Sequence, residues 1–231
     1  MYQDKITMCL TIGRRPDLLR QTLETLRGLP PLPVIAINDF RDEETNAVFR
    51  EFYPEGLLLD PGRHLGHHGA VDAMYAEVKT PYILHGEDDW GFTRTDFLAD
   101  ALKLLAADPQ ISVISLRATQ DIPLTDADRA RITTDQRDGV AFQRMEHLHE
   151  QWHGYTLNPH LAPKALWESL GGFSGFEKER HLSRHLRAKG MFVAYLLPEA
   201  CRHIGEGRGA DIRRHSLFRR FKKWLRGIKA A

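Results

Sequence analysis

His85-Gly86-Glu87-Asp88-Asp89-Trp90 follows the short apolar run Pro81-Tyr82-Ile83-Leu84, which reads as a buried strand, so three consecutive acids stand where that strand leaves a sheet. Carboxylates crowded in this way repel one another and raise each other's pKa unless a cation sits among them. A hard divalent ion such as Mg²⁺ or Mn²⁺ relieves the repulsion through one or two carboxylates, and completes its shell with water and substrate phosphates. The stretch therefore points to a metal-assisted site for a phosphate-bearing substrate, or else to a solvated acidic turn capping the next helix.

Upstream, residues 6–12 read as a buried strand, 13–17 as a turn, and 18–26 as an amphipathic helix with Leu18, Leu19, Leu23 and Leu26 on one face. A second apolar strand over 34–37 runs into Asn38-Asp39. Strand, helix and strand of these lengths make a right-handed crossover between parallel strands. In such sheets ligands gather beyond the carboxyl ends of the strands, where Thr11 to Arg15 and Asp39 would lie. Residues 43–52 read as a helix and 56–60 as a third strand. Arg63-His64-Leu65-Gly66-His67-His68-Gly69 is then a glycine- and histidine-rich loop before a helix over 70–77. Gly66 and Gly69 allow backbone N–H groups to approach a phosphate, although the spacing is neither that of a P-loop nor that of a dinucleotide-binding fingerprint.

Downstream, a helix is expected over 96–107 and a strand over 111–116, while 120–137 is polar, with alternating charge, and reads as an exposed connection. Beyond Gln143 the chain turns aromatic and polar, with Trp152, Tyr155 and Asn158 among several histidines. Such groups suit a sugar, whose ring has an apolar face and a polar edge; packed aromatics on a surface hairpin are the alternative. His147, His149 and His153 have no cysteine or fixed acidic partner, which argues against zinc. A short helix over 163–170 ends at Gly171-Gly172, a further helix opens at Glu177-Lys178-Glu179 and stops at Lys189-Gly190, and 192–197 reads as a final strand followed by a flexible loop over 201–209.

The 231 residues, 42% hydrophobic and 27% charged, suit one large α/β domain or two small ones. No apolar run is long enough to span a membrane, and residues 1–5 carry no signal-peptide core. Cys9 and Cys201, both in strand-like apolar settings, read as buried free thiols of a reducing, cytoplasmic compartment. The net charge of +1 hides an asymmetry: eight basic residues and no acid lie in 213–231, leaving −7 for residues 1–212. On a helix, Leu217, Phe218, Phe221, Trp224, Leu225 and Ile228 of that tail share one stripe within a basic surround. This pattern suits peripheral attachment to an anionic membrane, packing on the domain or in a homodimer, or a nucleic-acid contact.

In their order and spacing these pieces, over residues 5–209, resemble the nucleotide-sugar-dependent glycosyltransferases of the GT-A fold, in the large family 2 group. The carriers are Thr11 and Arg15-Pro16-Asp17-Leu18-Leu19, Asn38-Asp39, Glu87-Asp88-Asp89 as a D-x-D motif in E-x-D form, Gly171-Gly172-Phe173 with Glu177-Lys178-Glu179 and Leu182-Ser183, and His203. The resemblance implies a Rossmann-like domain over 1–212 with a mixed, mostly parallel sheet flanked by helices. Residues 1–90 would form its nucleotide-sugar half and 91–212 its acceptor half, with 213–231 as a basic amphipathic tail. It further implies Mn²⁺ or Mg²⁺ held by Asp89 and His203. Thr11, Arg15, Asp39, Gly66, Glu87, Asp88 and Arg208 would bind a nucleotide diphosphate sugar, with UDP favoured, and Trp90, Trp152, Tyr155 and Asn158 would bind a glycan or lipid-linked acceptor. Glu179, with Glu177 as its rival, would be the base of an inverting transfer. A sugar-phosphate nucleotidyltransferase and a non-catalytic nucleotide- or carbohydrate-binding protein are the competing readings; the short Gly13-Arg14-Arg15-Pro16 loop speaks against the first, and Lys178-Glu179, in place of the family's Glu-Asp, keeps the second open.

Overall fold

The structure, a computed structural model, describes residues 2–205, so Arg208 and the tail over 213–231 lie outside the described residues. The strands are β1 (Ile6–Ile12), β2 (Val34–Asn38), β3 (Leu57–Leu59), β4 (Tyr82–Glu87), β5 (Trp90–Phe92), β6 (Ile111–Ser115), β7 (Thr133–Arg137), β8 (Val140–Arg144), β9 (His160–Pro163), β10 (Phe192–Leu196) and β11 (Cys201–His203). The helices are α1 (Pro16–Thr25), α2 (Glu43–Phe52), α3 (His67–Ala76), α4 (Leu98–Ala107), α5 (Asp126–Arg129), α6 (Lys164–Ser169) and α7 (Glu179–Ala188).

Among the described residues nine strands form one sheet in the order β3-β2-β1-β4-β9-β6-β10-β8-β7, and β11 pairs with β5 beside it. The pairings β3-β2-β1-β4 and β6-β10 are parallel; β9 and β8 run against the rest. The long apolar runs of β1 and β2 reflect burial on both faces, and alternate residues divide between two cores. Met8, Leu10 and Ile12 pack with Leu19 and Leu23 of α1 and Phe49 of α2, while Cys9, Ile35 and Ile37 pack with Met74 and Tyr75 of α3 and Leu182 and Leu186 of α7. Cys9 and Cys201 are buried free thiols. No helix among the described residues is long and apolar enough to cross a membrane.

The structure departs from the sequence reading in three places. Residues 120–137 are not a bare connection: they contain α5 and end in edge strand β7, which pairs with β8 through an Asp138-Gly139 turn whose φ angles are 47° and 76°. An Asp-Gly pair with positive φ is a hairpin turn matched to strand twist. The 201–209 loop begins as strand β11, whose register sets His203 opposite Trp90. The segment after Gln143 is no surface hairpin, because it leads into β9, and β9 wedges antiparallel between β4 and β6. That reversal has a consequence for the site. The amino end of β9, preceded by Asn158, shares an edge with the carboxyl ends of β1, β2, β4 and β6.

Beneath that edge His85 and His160, both fully buried, stack with ring centroids 5.1 Å apart. The Nδ1 of His160 donates to the carbonyl oxygen of Asn158 at 2.8 Å, which leaves Nε2 as the acceptor nitrogen of a neutral ring. Burial holds His160 down to about 4 and His85 well below the ordinary histidine range. Unfolding restores a pKa near 6.5, so the unfolded chain binds more protons and stability falls as pH drops from about 6.5 through 4. For His160 the loss should reach about 3 kcal/mol by pH 4. Urea denaturation across this range, compared with His160→Gln, should show the wild type losing the greater stability; parallel curves would contradict it.

Candidate active site

The acidic triplet leaves β4 at the carboxyl edge of the sheet, and its three members have separate surroundings. Glu87 accepts the indole N–H of Trp90 at 3.0 Å. Burial, together with the charges of Asp89 and Glu179, pushes its carboxyl up to about 8. Asp88, 1% exposed, accepts the Gly13 N–H at 3.0 Å and a bond from the Arg15 guanidinium. Burial raises Asp88 to about 6 although Arg15 pulls the other way. The Oδ2 of Asp89 accepts from Arg15 at 2.5 Å and lies 3.1 Å from Nε2 of His203. The cation that the crowded acids require is thus supplied, within the chain itself, by Arg15.

Local geometry aims these groups. Arg14 takes a left-handed φ of 61°, its N–H donates to Asp42 at 2.7 Å, and its guanidinium lies 4.5 Å from the Phe40 ring centroid. A Cβ on Gly13 would stand 2.4 Å from Phe40, so only glycine permits this tight turn into α1. The β5-β11 ladder brings His203 in, and the Ile204 N–H donates to the Asp89 carbonyl at 2.9 Å. Gly205 passes so near that a Cβ there would lie 2.7 Å from Asp89.

Thr11, Arg15, Asp39, Gly66, Glu87 and Asp88 all line one cleft of about 220 Å³. Within it Asp39 fastens the loop before α3, accepting from the N–H of Leu65 at 2.6 Å and of Gly66 at 2.9 Å, with His64 Nδ1 at 2.7 Å. The Gly66 N–H, expected to face a phosphate, is thereby turned to Asp39 instead. Trp152, Tyr155 and Asn158 line a second cavity of about 520 Å³, together with Glu179, Arg117 and Tyr195. Glu179 accepts from the Leu157 N–H at 3.3 Å, and burial raises its carboxyl above the usual range. Glu177 is exposed, paired with Lys178 at 3.6 Å, and is not part of the cavity wall.

Trp90 is 2% exposed and lies in neither lining; its ring sits 5.1 Å from His203 and 5.2 Å from the Arg117 guanidinium. As an acceptor contact it is corrected by this burial, for its indole N–H is spent on Glu87 and its ring lies against His203 and Arg117. Arg117 is the residue missed in the sequence. Its signal was positional, since it follows the end of β6 at the edge where ligands collect.

Among the described residues no group of three or more His, Cys, Asp or Glu side chains stands ready to hold a metal. Asp89 and His203 form a pair of one carboxylate and one imidazole, a donor set that leaves the rest of a divalent ion's shell to phosphate and water. The oxygen they share is also the one Arg15 covers.

No protein-family model matches the chain, and no curated protein matches it in sequence. Solved structures do match in fold. The mannosyltransferase PcManGT from Pyrobaculum calidifontis, in complex with GDP-Man and Mn²⁺, superposes with a TM-score of 0.67 at 17% identity, covering 98% of this chain and 65% of that one. S. aureus TarS 1–349 superposes with a TM-score of 0.59 at 11% identity, covering 87% and 60%. Its complex with UDP-GlcNAc gives 0.57 at 13% identity, covering 86% and 58%. The chain therefore spans about 58 to 65% of the length of these structures. At such identities the likeness establishes the fold, which is that of the GT-A-like glycosyltransferases.

Proposed function

We propose that this domain is a metal-dependent glycosyltransferase that moves a sugar from a nucleoside diphosphate sugar to an acceptor hydroxyl with inversion at the anomeric carbon. One observation carries the reading. Glu87 and Asp88, at the carboxyl end of β4, line a cleft at the ends of β1 and β2, and Glu179, on the wall of the second cavity, is close enough to raise the carboxyl of Glu87. A donor in the first and an acceptor in the second would meet at these acids.

In this reading Thr11, Asp39 and Gly66 frame the nucleoside, and Arg15 faces the diphosphate. Asp89 and His203 would hold the divalent ion, which when bound supplies neutralising charge for the departing nucleoside diphosphate. Glu87, fixed by Trp90, and Asp88, fixed by Gly13 and Arg15, orient Asp89 and the donor ribose. Trp152 offers an exposed ring face to the acceptor sugar, Asn158 a polar group to its edge, and Glu179 accepts the proton of the attacking hydroxyl. Neighbours of this fold bind GDP-Man with Mn²⁺ and UDP-GlcNAc, which supports a nucleoside diphosphate sugar as donor. Arg208, by its place in a glycine-flanked stretch, is proposed as a further phosphate contact, and the basic residues of 213–231 favour a lipid-linked or surface glycan met at an anionic membrane.

A thermal-shift comparison of UDP, GDP, ADP and CDP with and without Mn²⁺ tests the donor half. One diphosphate with Mn²⁺ should stabilise the protein by about 2.7 kcal/mol at a hundred times its Kd. No shift with any of them would sink the reading.

A further inference from the structure

We propose that the acceptor carries an anionic oxygen group, phosphate or carboxylate, and that Arg117 is its anchor. The proposal rests on the reading of the 520 Å³ cavity as the acceptor site. Arg117 is the one arginine or lysine on that wall among the described residues. One terminal nitrogen donates to Asn158 Oδ1 at 2.6 Å and the other to the Asp121 carbonyl at 2.9 Å. Both partners are neutral, and no carboxylate among the described residues forms an ion pair with this guanidinium. Its Nε is buried without a hydrogen-bond partner.

A partly desolvated cation held by neutral groups is costly, and the cost is recovered when an anion arrives. Arg117 is also set for one. Two of its five N–H donors are used, and the Asn158, Asp121 and Trp90 contacts fix the plane of the fork. A fixed planar fork matches the paired oxygens of phosphate or carboxylate. Other groups on the wall do not compete for this role. Asp128 pairs with Arg131 at 3.5 Å, His149 accepts the Gln151 N–H through Nδ1 at 3.0 Å, and burial holds His153 down to about 4, so its ring is neutral. An acceptor anchored at Arg117 would present its hydroxyl toward Glu179 on the same wall, with Trp152 beside its ring.

The test uses the full chain with Mn²⁺ and saturating nucleoside diphosphate, so that the donor cleft is filled. Binding of glucose, glucose 6-phosphate, glucuronate and inorganic phosphate is then measured by ligand-observed NMR. The two anionic sugars should bind at least about tenfold more tightly than glucose, and more tightly than inorganic phosphate, with the gain shrinking at high salt. Arg117→Gln should erase the preference, Arg117→Lys should retain part of it, and neither should change the affinity for nucleotide. Equal binding of neutral and anionic sugars, or a preference that survives Arg117→Gln, overturns the proposal. If Arg117→Gln alters only the pH profile of kcat and leaves selectivity alone, Arg117 serves Glu179 and the proposal falls. A chain that binds no nucleotide refutes the glycosyltransferase reading instead, and the sugar comparison can still be made without it.

Discussion

Glu179→Gln should lower kcat by about 10²- to 10⁴-fold while leaving donor affinity within about twofold of wild type. The amide keeps the size of the side chain and can still accept from the Leu157 N–H through its carbonyl oxygen, so the cavity should keep its shape. What it loses is the capacity to take a proton. Burial raises the carboxyl of Glu179, so, with Glu179 as the proposed base, a larger share of the wild type should be protonated and inactive at mildly acidic pH than an exposed glutamate would allow. The rate should therefore rise with pH through that raised pKa, and the variant's residual rate should lack this limb. Glu177→Gln is the control, because Glu177 is exposed and outside the cavity, and its rate should stay near wild type. A large loss in Glu177→Gln with none in Glu179→Gln would move the base by two residues. Loss in neither would favour retention of configuration over inversion.

The parts of the fold that could be read in the sequence are those whose burial is two-sided. β1, β2 and β4 are continuous apolar runs because helices cover both faces of the sheet there, and a run of that kind is visible without knowing its neighbours. β7 is a polar edge strand whose burial alternates weakly, so its residues carry no strand signal beyond the Asp138-Gly139 turn. β9 has four residues and ends on a proline, and its role comes from the two strands it separates. The site divides in the same way. Glu87, Asp88 and Asp89 announce themselves by like-charge crowding, which is local. That Arg15 answers this crowding, and that Arg117 shares a wall with Glu179, depends on contacts between residues 73 or 74 apart in the first case and on a strand order that sequence does not print in the second.

Asp89→Ala should abolish divalent-dependent transfer, with a loss of about 10³-fold or more, since charge neutralisation by a metal is worth several kcal/mol and each 1.36 kcal/mol is a factor of ten. The fold should survive the change. Arg15 retains its bond to Asp88, and His203 is held by the β5-β11 ladder. Chelation of metal from the wild type should reproduce the loss, and full activity in EDTA would sink the metal role. Arg15 makes the prediction sharper. Because it and His203 both address Oδ2 of Asp89, a divalent ion entering without nucleotide has to displace a guanidinium, whereas a diphosphate beside the site gives Arg15 a second anion to turn toward. Mn²⁺ titrations followed by electron paramagnetic resonance should then show weak binding to the wild type alone and at least about tenfold tighter binding with nucleoside diphosphate, a coupling of about 1.4 kcal/mol. In Arg15→Ala the metal should bind more tightly than in wild type when nucleotide is absent, and the coupling should shrink. Metal affinity that is indifferent to both nucleotide and Arg15 would show that the guanidinium does not compete for Asp89, and that its place between the two aspartates serves the fold.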